Sequence, residues 1–233
     1  DFVNFQNLLQ NFYPDVVINA IGVTKQRIPN YSETEVKEIN SIFPHKLDML
    51  CNLHNIKLIH LSTDCVFSGK KGLYSLNDVP DAKDLYGKSK IAGEINDTST
   101  LTIRKSTVGY EIDSNKGLLE WFINQKGYVN GYINAIFSGV TTLEFAKVLL
   151  HVIEKRIDLK GIYHVSSDPI DKFTLLSLIK NKLELDSILI RPYKDFKCDR
   201  SLDGSIFFNE RAAFTPAIRP CAAASSYPVV PLI

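Results

Sequence analysis

The sequence lacks several features that would mark particular classes of protein. No apolar run approaches the roughly 20 residues of a membrane-spanning helix. The 27 basic and 26 acidic side chains nearly cancel, so the charge does not point to nucleic acid or an anionic membrane as a partner. His60 and His164 lie inside strand patterns, where we expect hydrogen-bonded core residues, and no grouping with metal-ligand spacing occurs, so no metal is expected.

Cysteine pairing motifs are also missing. The four cysteines show no C-x-x-C spacing and no pattern of a small disulfide scaffold. They are Cys51, Cys65, Cys198 and Cys221. We therefore expect reduced thiols in a cytoplasmic protein.

Strand and helix patterns alternate along the chain. A short first helix ends at Pro14 before the strand VVINA, and residues 32–53 predict a long helix that Pro44 interrupts. The alternation predicts a doubly wound parallel sheet, in which ligands bind beyond the carboxyl ends of the strands. Further strands are predicted at residues 101–104 and 161–165. Thr141 and Asp171 are predicted to cap two helices. In the helix after Thr141, the predicted core stripe consists of Leu143, Ala146, Leu150 and Ile153.

The most informative stretch runs from residue 58 to residue 94. It begins as a buried strand ending in Ser62-Thr63-Asp64, and after a loop with Gly and Pro it enters a helix with Tyr86 and Lys90. Residues four apart share one helix face, so Tyr86 and Lys90 can both point toward Thr63. A nearby cation lowers the pKa of a phenol below its usual value of about 10. Such a tyrosine can protonate a carbonyl oxygen as a hydride reaches the carbon.

The Tyr-x-x-x-Lys spacing by itself is weak evidence for catalysis. A second copy, Tyr193 and Lys197, follows no polar strand end, and an isolated pair is more often a solvated helix face. The combination of strand, STD, proline-containing loop and YGKSKIAGE is what predicts a catalytic site.

The motifs STDCVFSG and DLYGKSKIAGE resemble the extended short-chain dehydrogenase/reductase superfamily, most closely its dTDP-4-dehydrorhamnose reductase branch. The resemblance runs from about residue 1 to about residue 203. It implies an α/β fold with a doubly wound parallel sheet, Rossmann-like and truncated at the N-terminus, and a smaller α/β substrate-binding lobe. The implied divisions are a partial dinucleotide-binding domain at 1–110, the lobe with elements returning to the sheet at 111–210, and an irregular tail at 211–233.

The implied activity is NAD(P)H-dependent reduction of a nucleotide-linked 4-keto-6-deoxy sugar for cell-surface polysaccharide precursors. The cofactor, NADP or NAD, would give the hydride and Tyr86 the proton. Lys90 would lower the tyrosine pKa and hold the nicotinamide ribose, while Thr63 would bind the carbonyl oxygen. A dehydratase or epimerase is a further alternative. Dehydratases typically carry Asp and Glu after the threonine, however, and here Asp64 is followed by Cys65, an unlikely base for water elimination.

The resemblance implies further site residues. The cofactor would contact Asn19, Ala20, Ile21, Ser62, Tyr86 and Lys90. The substrate would contact Asp64, Val66, Phe137, Ser138 and Thr141. Asn40 would support a proton relay through a backbone kink and water. Ordinary roles are the alternatives: a turn residue closing its own backbone for Asn19, and packing or capping for Phe137, Ser138 and Thr141.

The sequence departs from the family pattern at several points. A dinucleotide-binding sheet should open with a strand, a Gly-rich turn and a helix that holds the pyrophosphate, and no such turn occurs here. We therefore expect a fragment of a longer protein that binds cofactor poorly or not at all, with an unpaired apolar edge on VVINA. Leu76 replaces a usual acid and Lys105 a usual small polar residue.

The alternative from a different class is a non-catalytic regulatory or scaffolding subunit of the same fold. The choice between NAD and NADP, the sugar, the nucleotide and the oligomeric state, a homodimer among the options, all stay open.

Overall fold

The computed structural model describes residues 2–97, 99–112 and 116–210, so the tail expected at 211–233 lies outside the described residues. The helices are α1 (Phe2–Phe12), α2 (Glu33–Lys37), α3 (Phe43–Leu53), α4 (Leu85–Ala92), α5 (Leu118–Ile123), α6 (Thr142–Lys155), α7 (Lys172–Lys182) and α8 (Ser205–Glu210). The strands are β1 (Val16–Asn19), β2 (Lys57–Thr63), β3 (Leu101–Lys105), β4 (Thr107–Val108), β5 (Gly127–Phe137), β6 (Val140–Thr141), β7 (Gly161–Val165), β8 (Ile170–Asp171) and β9 (Ile188–Asp199).

The main sheet is parallel and has the strand order β1-β2-β3-β7. Its strands are apolar on both faces because each face is covered. On one face, Leu58 packs with residues of α3 such as Leu47 and Leu50. On the other, Ile59 and its neighbours on β3 pack against the buried side of α6. The α/β class with a doubly wound parallel sheet is therefore confirmed.

Strand β1 lies at the edge of this sheet in the part of the chain that the structure describes. It pairs with β2 through the register Val16–Lys57 to Asn19–His60. Ile18 is 41% exposed. An apolar side chain at an open strand edge is the feature that the sequence predicted here.

A second sheet has the order β8-β5-β9 and carries α7 on one face. Strands β5 and β9 run parallel, and Val129, Leu176 and Ile188 form the core between this sheet and α7. Beyond the end of β9, Leu202 forms a bridge with Tyr74 in the loop after β2, and its carbonyl oxygen accepts from Ser166 Oγ, just after β7, at 2.9 Å. These contacts join the segment after β9 to segments that follow two main strands at their carboxyl ends.

Two predicted helices differ from the sequence expectation. In α6 the buried residues are Phe145, Val148 and Val152, whereas Leu143 and Leu150 are 68% and 55% exposed. The predicted stripe was wrong because apolar residues occupy most positions of this helix, and several registers fit the same spacing. Thr141 caps α6 as expected, accepting from the amide of Glu144 at 3.1 Å.

The long helix expected over residues 32–53 is divided. Ser32 and Glu35 form a capping box at the start of α2, and a π-helical turn, Glu38–Ile42, separates α2 from α3. Pro44 lies in the first turn of α3, where its missing N–H needs no partner. The interruption therefore lies just before the proline and not at it.

None of the helices in the described ranges is both long and apolar enough to cross a membrane.

Candidate active site

Helix α4 starts beside the carboxyl end of β2 and carries Tyr86 and Lys90 there. Asp84 caps it by accepting from the amide of Gly87 at 2.8 Å, and Lys25 pairs with Asp84 at 3.0 Å. A Cβ at Gly87 would overlap Ala82 and lie 2.6 Å from the carbonyl oxygen of Cys65. Glycine at this position therefore allows the start of the helix to approach the turn after β2.

Thr63 ends β2 and organises that turn. Its hydroxyl donates to Asp64 Oδ1 at 3.1 Å and lies 3.1 Å from the amide of Cys65, from which it accepts. Hydrogen bonding between Thr63 and the Tyr86 phenol also acts on the pKa of that phenol. The structure thus brings Thr63 and Tyr86 together, as the sequence predicted.

The pKa of Tyr86 lies above its ordinary value. Burial is the main cause, the charges of Cys65 and Asp64 act in the same direction, and the hydrogen bond with Thr63 lowers the pKa only in part. The expectation that Lys90 lowers this pKa was wrong for this structure, because the ammonium points elsewhere. Lys90 Nζ donates to the carbonyl oxygen of Leu61 at 2.9 Å.

Lys90 is itself buried, with 5% of its surface exposed. Its pKa is lowered to about 8, mainly by burial; Glu94 opposes this decrease and nearby Lys105 adds to it. The buried ammonium therefore exchanges its proton close to neutral pH. A group of this kind can switch between donor and acceptor in a proton transfer.

Asn40 lies in the π-helical turn and is fully buried. Its amide accepts from the N–H of Val23 at 2.8 Å and donates to the Val23 carbonyl and to Ser89 Oγ, both at 3.0 Å. It therefore ties the loop after β1 to α4. The irregular backbone expected around Asn40 is present. The Asn40 side chain forms the hydrogen bonds that connect the loop to α4.

The residues expected around the cofactor fall into two groups. Asn19 is buried, accepts from the amide of Ile21 at 3.1 Å and donates to His60 at 3.1 Å, so it has the turn-closing role given as its alternative. Ala20 and Ile21 are exposed on the loop after β1. Burial lowers the pKa of His60 to about 3, which leaves it a neutral, hydrogen-bonded core residue as expected.

Ser62 belongs to a buried polar network behind the site. Its hydroxyl donates to Glu94 Oε1 at 2.6 Å. Arg104 donates to both oxygens of Glu94, at 2.8 and 2.7 Å, and lies 3.3 Å from His164 Nε2. Ser62 thus fixes the end of β2 to the segment after α4, with only 4% of its surface exposed.

The expected substrate residues are in different environments. Asp64 adjoins Thr63, and burial raises its pKa. Phe137 lies beneath Lys172, whose Nζ is 4.2 Å from the ring centroid. Ser138 accepts from the amide of Leu202 at 2.9 Å. The expected substrate contact of Val66 is wrong for its side chain, which is fully buried against Phe67, Tyr74 and Leu202 and packs in the core.

Sequence reasoning missed Lys172 and Arg200, which reach this site from the second sheet. Both act electrostatically on Asp64 and Cys65. Lys172 begins α7, and Arg200 follows β9. Their positions depend on the folding of the second sheet, but Arg200 stands within the last part of the recognised stretch and could have been considered.

The second Tyr-x-x-x-Lys pair lies on a strand. Tyr193 and Lys197 are both in β9, and the register of this strand against β5 shifts between them. The two residues therefore do not share the single face that the same spacing gives on a helix. Of the two copies of the motif, the one in α4 lies on a helix and has its tyrosine beside Thr63.

Curated relatives include enzymes and a subunit. The chain is 30% identical over 178 residues to a dTDP-4-dehydrorhamnose reductase of Aggregatibacter actinomycetemcomitans, covering 70% of this chain and 59% of the relative. It is 23% identical over 201 residues to methionine adenosyltransferase 2 subunit beta of Xenopus tropicalis, covering 81% of this chain and 60% of the relative. The chain thus spans less than two thirds of the length of either relative.

Solved structures share the fold. A hypothetical dTDP-4-dehydrorhamnose reductase from Sulfolobus tokodaii has a TM-score of 0.76 at 26% identity, covering 90% of this chain and 78% of that one. A dTDP-4-dehydrorhamnose reductase from Bacillus anthracis, solved in complex with NADP, has a TM-score of 0.72 at 21% identity, covering 84% and 71%. The second likeness shows the fold alone.

A family model described as the RmlD substrate binding domain matches residues 1–202. This match covers both sheets and every active-site candidate named above. The resemblance to the dTDP-4-dehydrorhamnose reductase branch is confirmed, and the chain belongs to the RmlD substrate binding domain family.

Proposed function

We propose that this chain carries the active site of a reductase. The enzyme would reduce the keto group of a nucleotide-linked 4-keto-6-deoxy sugar with NADPH or NADH. The observation that carries the proposal is the meeting of Thr63 and Tyr86 beside the buried Lys90, at the carboxyl end of a parallel sheet. Ligands of such sheets bind at that edge. The names of the Aggregatibacter and Bacillus relatives support the same reaction and cofactor class.

In the proposed reaction the hydride comes from the nicotinamide and the proton from Tyr86. The raised pKa of Tyr86 keeps its phenol protonated at neutral pH, which is the form that can donate. Thr63 would hold the carbonyl oxygen, and Lys90 would take part in replacing the proton. The exposed Ala20 and Ile21 would line the cofactor, and Phe137 and Thr141 the substrate.

The domain division that we propose keeps residues 1–110 as the partial dinucleotide-binding part and 111–210 as the substrate-binding lobe. The observed return of β7 to the main sheet supports a lobe with returning elements. Cys51, Cys65 and Cys198 are free thiols, which supports a reducing compartment and a cytoplasmic location.

A dehydratase is disfavoured by the residue after Asp64. Cys65 occupies that position, and burial, with the charge of Asp64, raises its pKa to about 12. A thiol that holds its proton this firmly is a poor base for water elimination. A 4-keto reduction needs only a hydride and a proton donor.

The second candidate is a non-catalytic subunit of the same fold. It is favoured by the methionine adenosyltransferase 2 subunit beta of Xenopus tropicalis, which the chain matches over 81% of its own length. Such a protein could keep the fold, and even the tyrosine and lysine, without turnover.

Calorimetric titration with NADPH and NADH tests the proposal. We compare this chain with a form extended at its N-terminus by a Gly-rich βαβ unit, which supplies a pyrophosphate site. Binding by the extended form only, followed by cofactor oxidation with a dTDP-linked 4-keto-6-deoxy sugar, is the expected result. If neither form binds NADPH or NADH, the reductase proposal is wrong and the non-catalytic subunit is favoured.

A further inference from the structure

The end of α4 contacts β2 at two consecutive residues. Lys90 Nζ donates to the carbonyl oxygen of Leu61 at 2.9 Å. Glu94, four residues after Lys90, accepts from Ser62 Oγ at 2.6 Å through Oε1. Thr63 is the next residue of the strand. Lys90 and Glu94 together therefore hold the two residues that precede Thr63.

Arg104 fixes the carboxylate of Glu94 in one position. Its Nε donates to Oε1 at 2.8 Å and its Nη2 to Oε2 at 2.7 Å. Arg104 is paired in register with Ser62 between β2 and β3, and its guanidinium lies 5.2 Å from the ring centroid of Phe67, just after the turn at the end of β2. Two hydrogen bonds from one guanidinium constrain both the direction and the distance of a carboxylate. Glu94 therefore contacts Ser62 from a fixed point.

A second set of contacts fixes the end of α4 itself. A Cβ at Gly93 would overlap the carbonyl oxygen of Asn40 in the π-helical turn. Ser41 Oγ, in the same turn, donates to the carbonyl oxygen of Ser89 at 2.9 Å. These contacts join α4 to the π-helical turn, whereas Glu94 joins it to β2.

Stability alone is a weak reason for a buried ion pair at this place. The desolvation of two charges can cost as much as their attraction returns, and apolar residues of similar volume often hold a fold equally well. Alignment is a stronger reason, because a displacement of about 1 Å near reacting groups can slow a reaction about 100-fold. Glu94 contacts the residue directly before Thr63, where such a displacement would be felt.

We propose that Glu94 is a positioning residue, which aligns Lys90 with Thr63 by holding Ser62 and the end of α4 in a fixed relation. This inference rests on the proposed function and specifies how its site is aligned. Glu94 acts through its neighbours and exchanges no proton in the reaction. Its charge and its reach can be tested separately. Glu94→Asp keeps the charge but is shorter by one methylene, so it cannot contact Ser62 and Arg104 together, whereas Glu94→Gln keeps the reach and removes the charge.

NMR titration of this chain, without cofactor, tests the alignment independently of turnover. The Cε resonance of Lys90, assigned by its absence from Lys90→Met, follows the ammonium. The carbonyl-carbon resonance of Leu61 follows the hydrogen bond that its oxygen accepts. In wild type both should titrate together at about pH 8. Lys105, the other cation that acts on the Lys90 pKa, is present in every variant.

The two Glu94 variants should separate charge from position. In Glu94→Asp the Lys90 resonance should still titrate, and the response of Leu61 should fall at least about twofold, since a hydrogen bond weakens steeply as its geometry worsens. In Glu94→Gln the Lys90 titration should also move to lower pH, because the charge of Glu94 raises the pKa of Lys90.

Turnover by the form extended with a Gly-rich unit gives the second readout. Ser62→Ala removes one hydroxyl contact of Glu94 and leaves its pair with Arg104. It should lower kcat at least about tenfold and keep the KM of the sugar within about twofold, the pattern of an interaction made only in the transition state. The matched control is Thr102→Val, which removes a buried hydroxyl that donates to the carbonyl oxygen of Ile95 at 2.7 Å. It should cost similar stability and keep kcat within about twofold.

Circular dichroism checks that every variant is folded. Glu94→Asp and Ser62→Ala keep a counter-ion for Arg104, so they still decide the matter if Glu94→Gln does not fold. An undiminished Leu61 response in Glu94→Asp, or equal losses of kcat in Ser62→Ala and Thr102→Val, overturns the proposal. If the extended wild type has no turnover but Glu94→Asp loses the Leu61 response, the reductase is wrong and the positioning role of Glu94 is supported.

Discussion

Tyr86 combines a raised pKa with a hydroxyl partner at the end of β2. A neutral phenol is a proton donor, and its removal leaves a carbonyl without an acid as the hydride arrives. Tyr86→Phe, made in the form extended by a Gly-rich unit, should reduce kcat by about 10²- to 10⁴-fold, the usual contribution of a general acid. Cofactor affinity should stay within about twofold, since the ring is kept. Stopped-flow oxidation of NADPH measures the first quantity and calorimetry the second.

Tyr193→Phe is the internal control for this prediction. Tyr193 belongs to the second Tyr-x-x-x-Lys copy, which lies on β9. The substitution removes the same hydroxyl without reaching Thr63, so kcat should not change. If Tyr86→Phe retains most of the activity, Tyr86 is not the proton donor.

Lys90 makes the stability of the fold depend on pH. Burial lowers its pKa to about 8 from an ordinary value of 10.5. Between those values the unfolded chain binds the proton that the folded chain releases, so stability rises with pH in this window. At lower pH the folded chain carries the cost of a buried cation, which Glu94 offsets in part and Lys105 increases.

The free energy of unfolding of wild type should therefore rise relative to that of Lys90→Met as the pH increases. Between about pH 8 and 9.5 the expected relative gain is about 1.5 kcal/mol. Urea denaturation at both pH values measures it. The other lysines with a lowered pKa, Lys57, Lys105 and Lys172, are present in both proteins and largely cancel. A constant difference between the two proteins would show that Lys90 does not titrate in this window.

Among the elements, α4 depends on close approach at its first turn. Gly87 faces the carbonyl of Cys65, and Gly93 at its end faces the carbonyl of Asn40. Gly87→Ala should destabilise the fold by about 1–3 kcal/mol through overpacking, although alanine favours helix by about 1 kcal/mol. Thermal and urea unfolding measure the change. Lys88→Ala, on the exposed side of the same turn, should shift stability by no more than about 0.5 kcal/mol; an equal loss in both variants would contradict the packing argument.

The sequence predicts elements where a local signal is strong. The alternation of strand and helix, the caps Asp171 and Thr141, and the strand ending at Thr63 are all found in the structure. The core face of α6 was not predictable, because its apolar residues surround most of the helix. The full burial of Val66 was also missed, since it depends on Tyr74 and Leu202, the second of which is far along the chain.

The candidate site shows more clearly that contacts between distant parts of the chain cannot be predicted from local sequence patterns. Tyr86 and Lys90 share a helix, so spacing alone places them together. Lys172 and Arg200 come near Asp64 only after β5, β8 and β9 have formed a second sheet and the segment after β9 has paired with the loop after β2. No local pattern in the sequence encodes such a long-range approach.

At the scale of the whole molecule, a buried ion pair connects the segment after α4 to the centre of the sheet. Glu94, just after α4, binds Arg104 of β3 through two hydrogen bonds, and their side chains are 6% and 5% exposed. Ser62 of β2 donates to the same carboxylate, and His164 of β7 contacts Arg104. Burial lowers the pKa of His164 to about 4, so it adds no competing positive charge at neutral pH. Two neighbouring strands, β2 and β3, therefore share the carboxylate that follows α4, and β7 joins them through the contact of His164 with Arg104.

Replacing this carboxylate should be costly, because Arg104 keeps its charge inside the protein. Glu94→Gln leaves the guanidinium without a counter-ion, and we expect a loss of about 3–5 kcal/mol in the free energy of unfolding. Glu33→Gln breaks an exposed pair with Lys37 and should leave the free energy of unfolding nearly unchanged, because solvent screens that pair. Urea unfolding at pH 7 compares the two. The double variant Glu94→Gln, Arg104→Met should recover part of the loss, since no uncompensated charge is left. Similar small losses in Glu94→Gln and Glu33→Gln would show that water reaches Arg104, and that packing of the strands, without the ion pair, holds α4 in place.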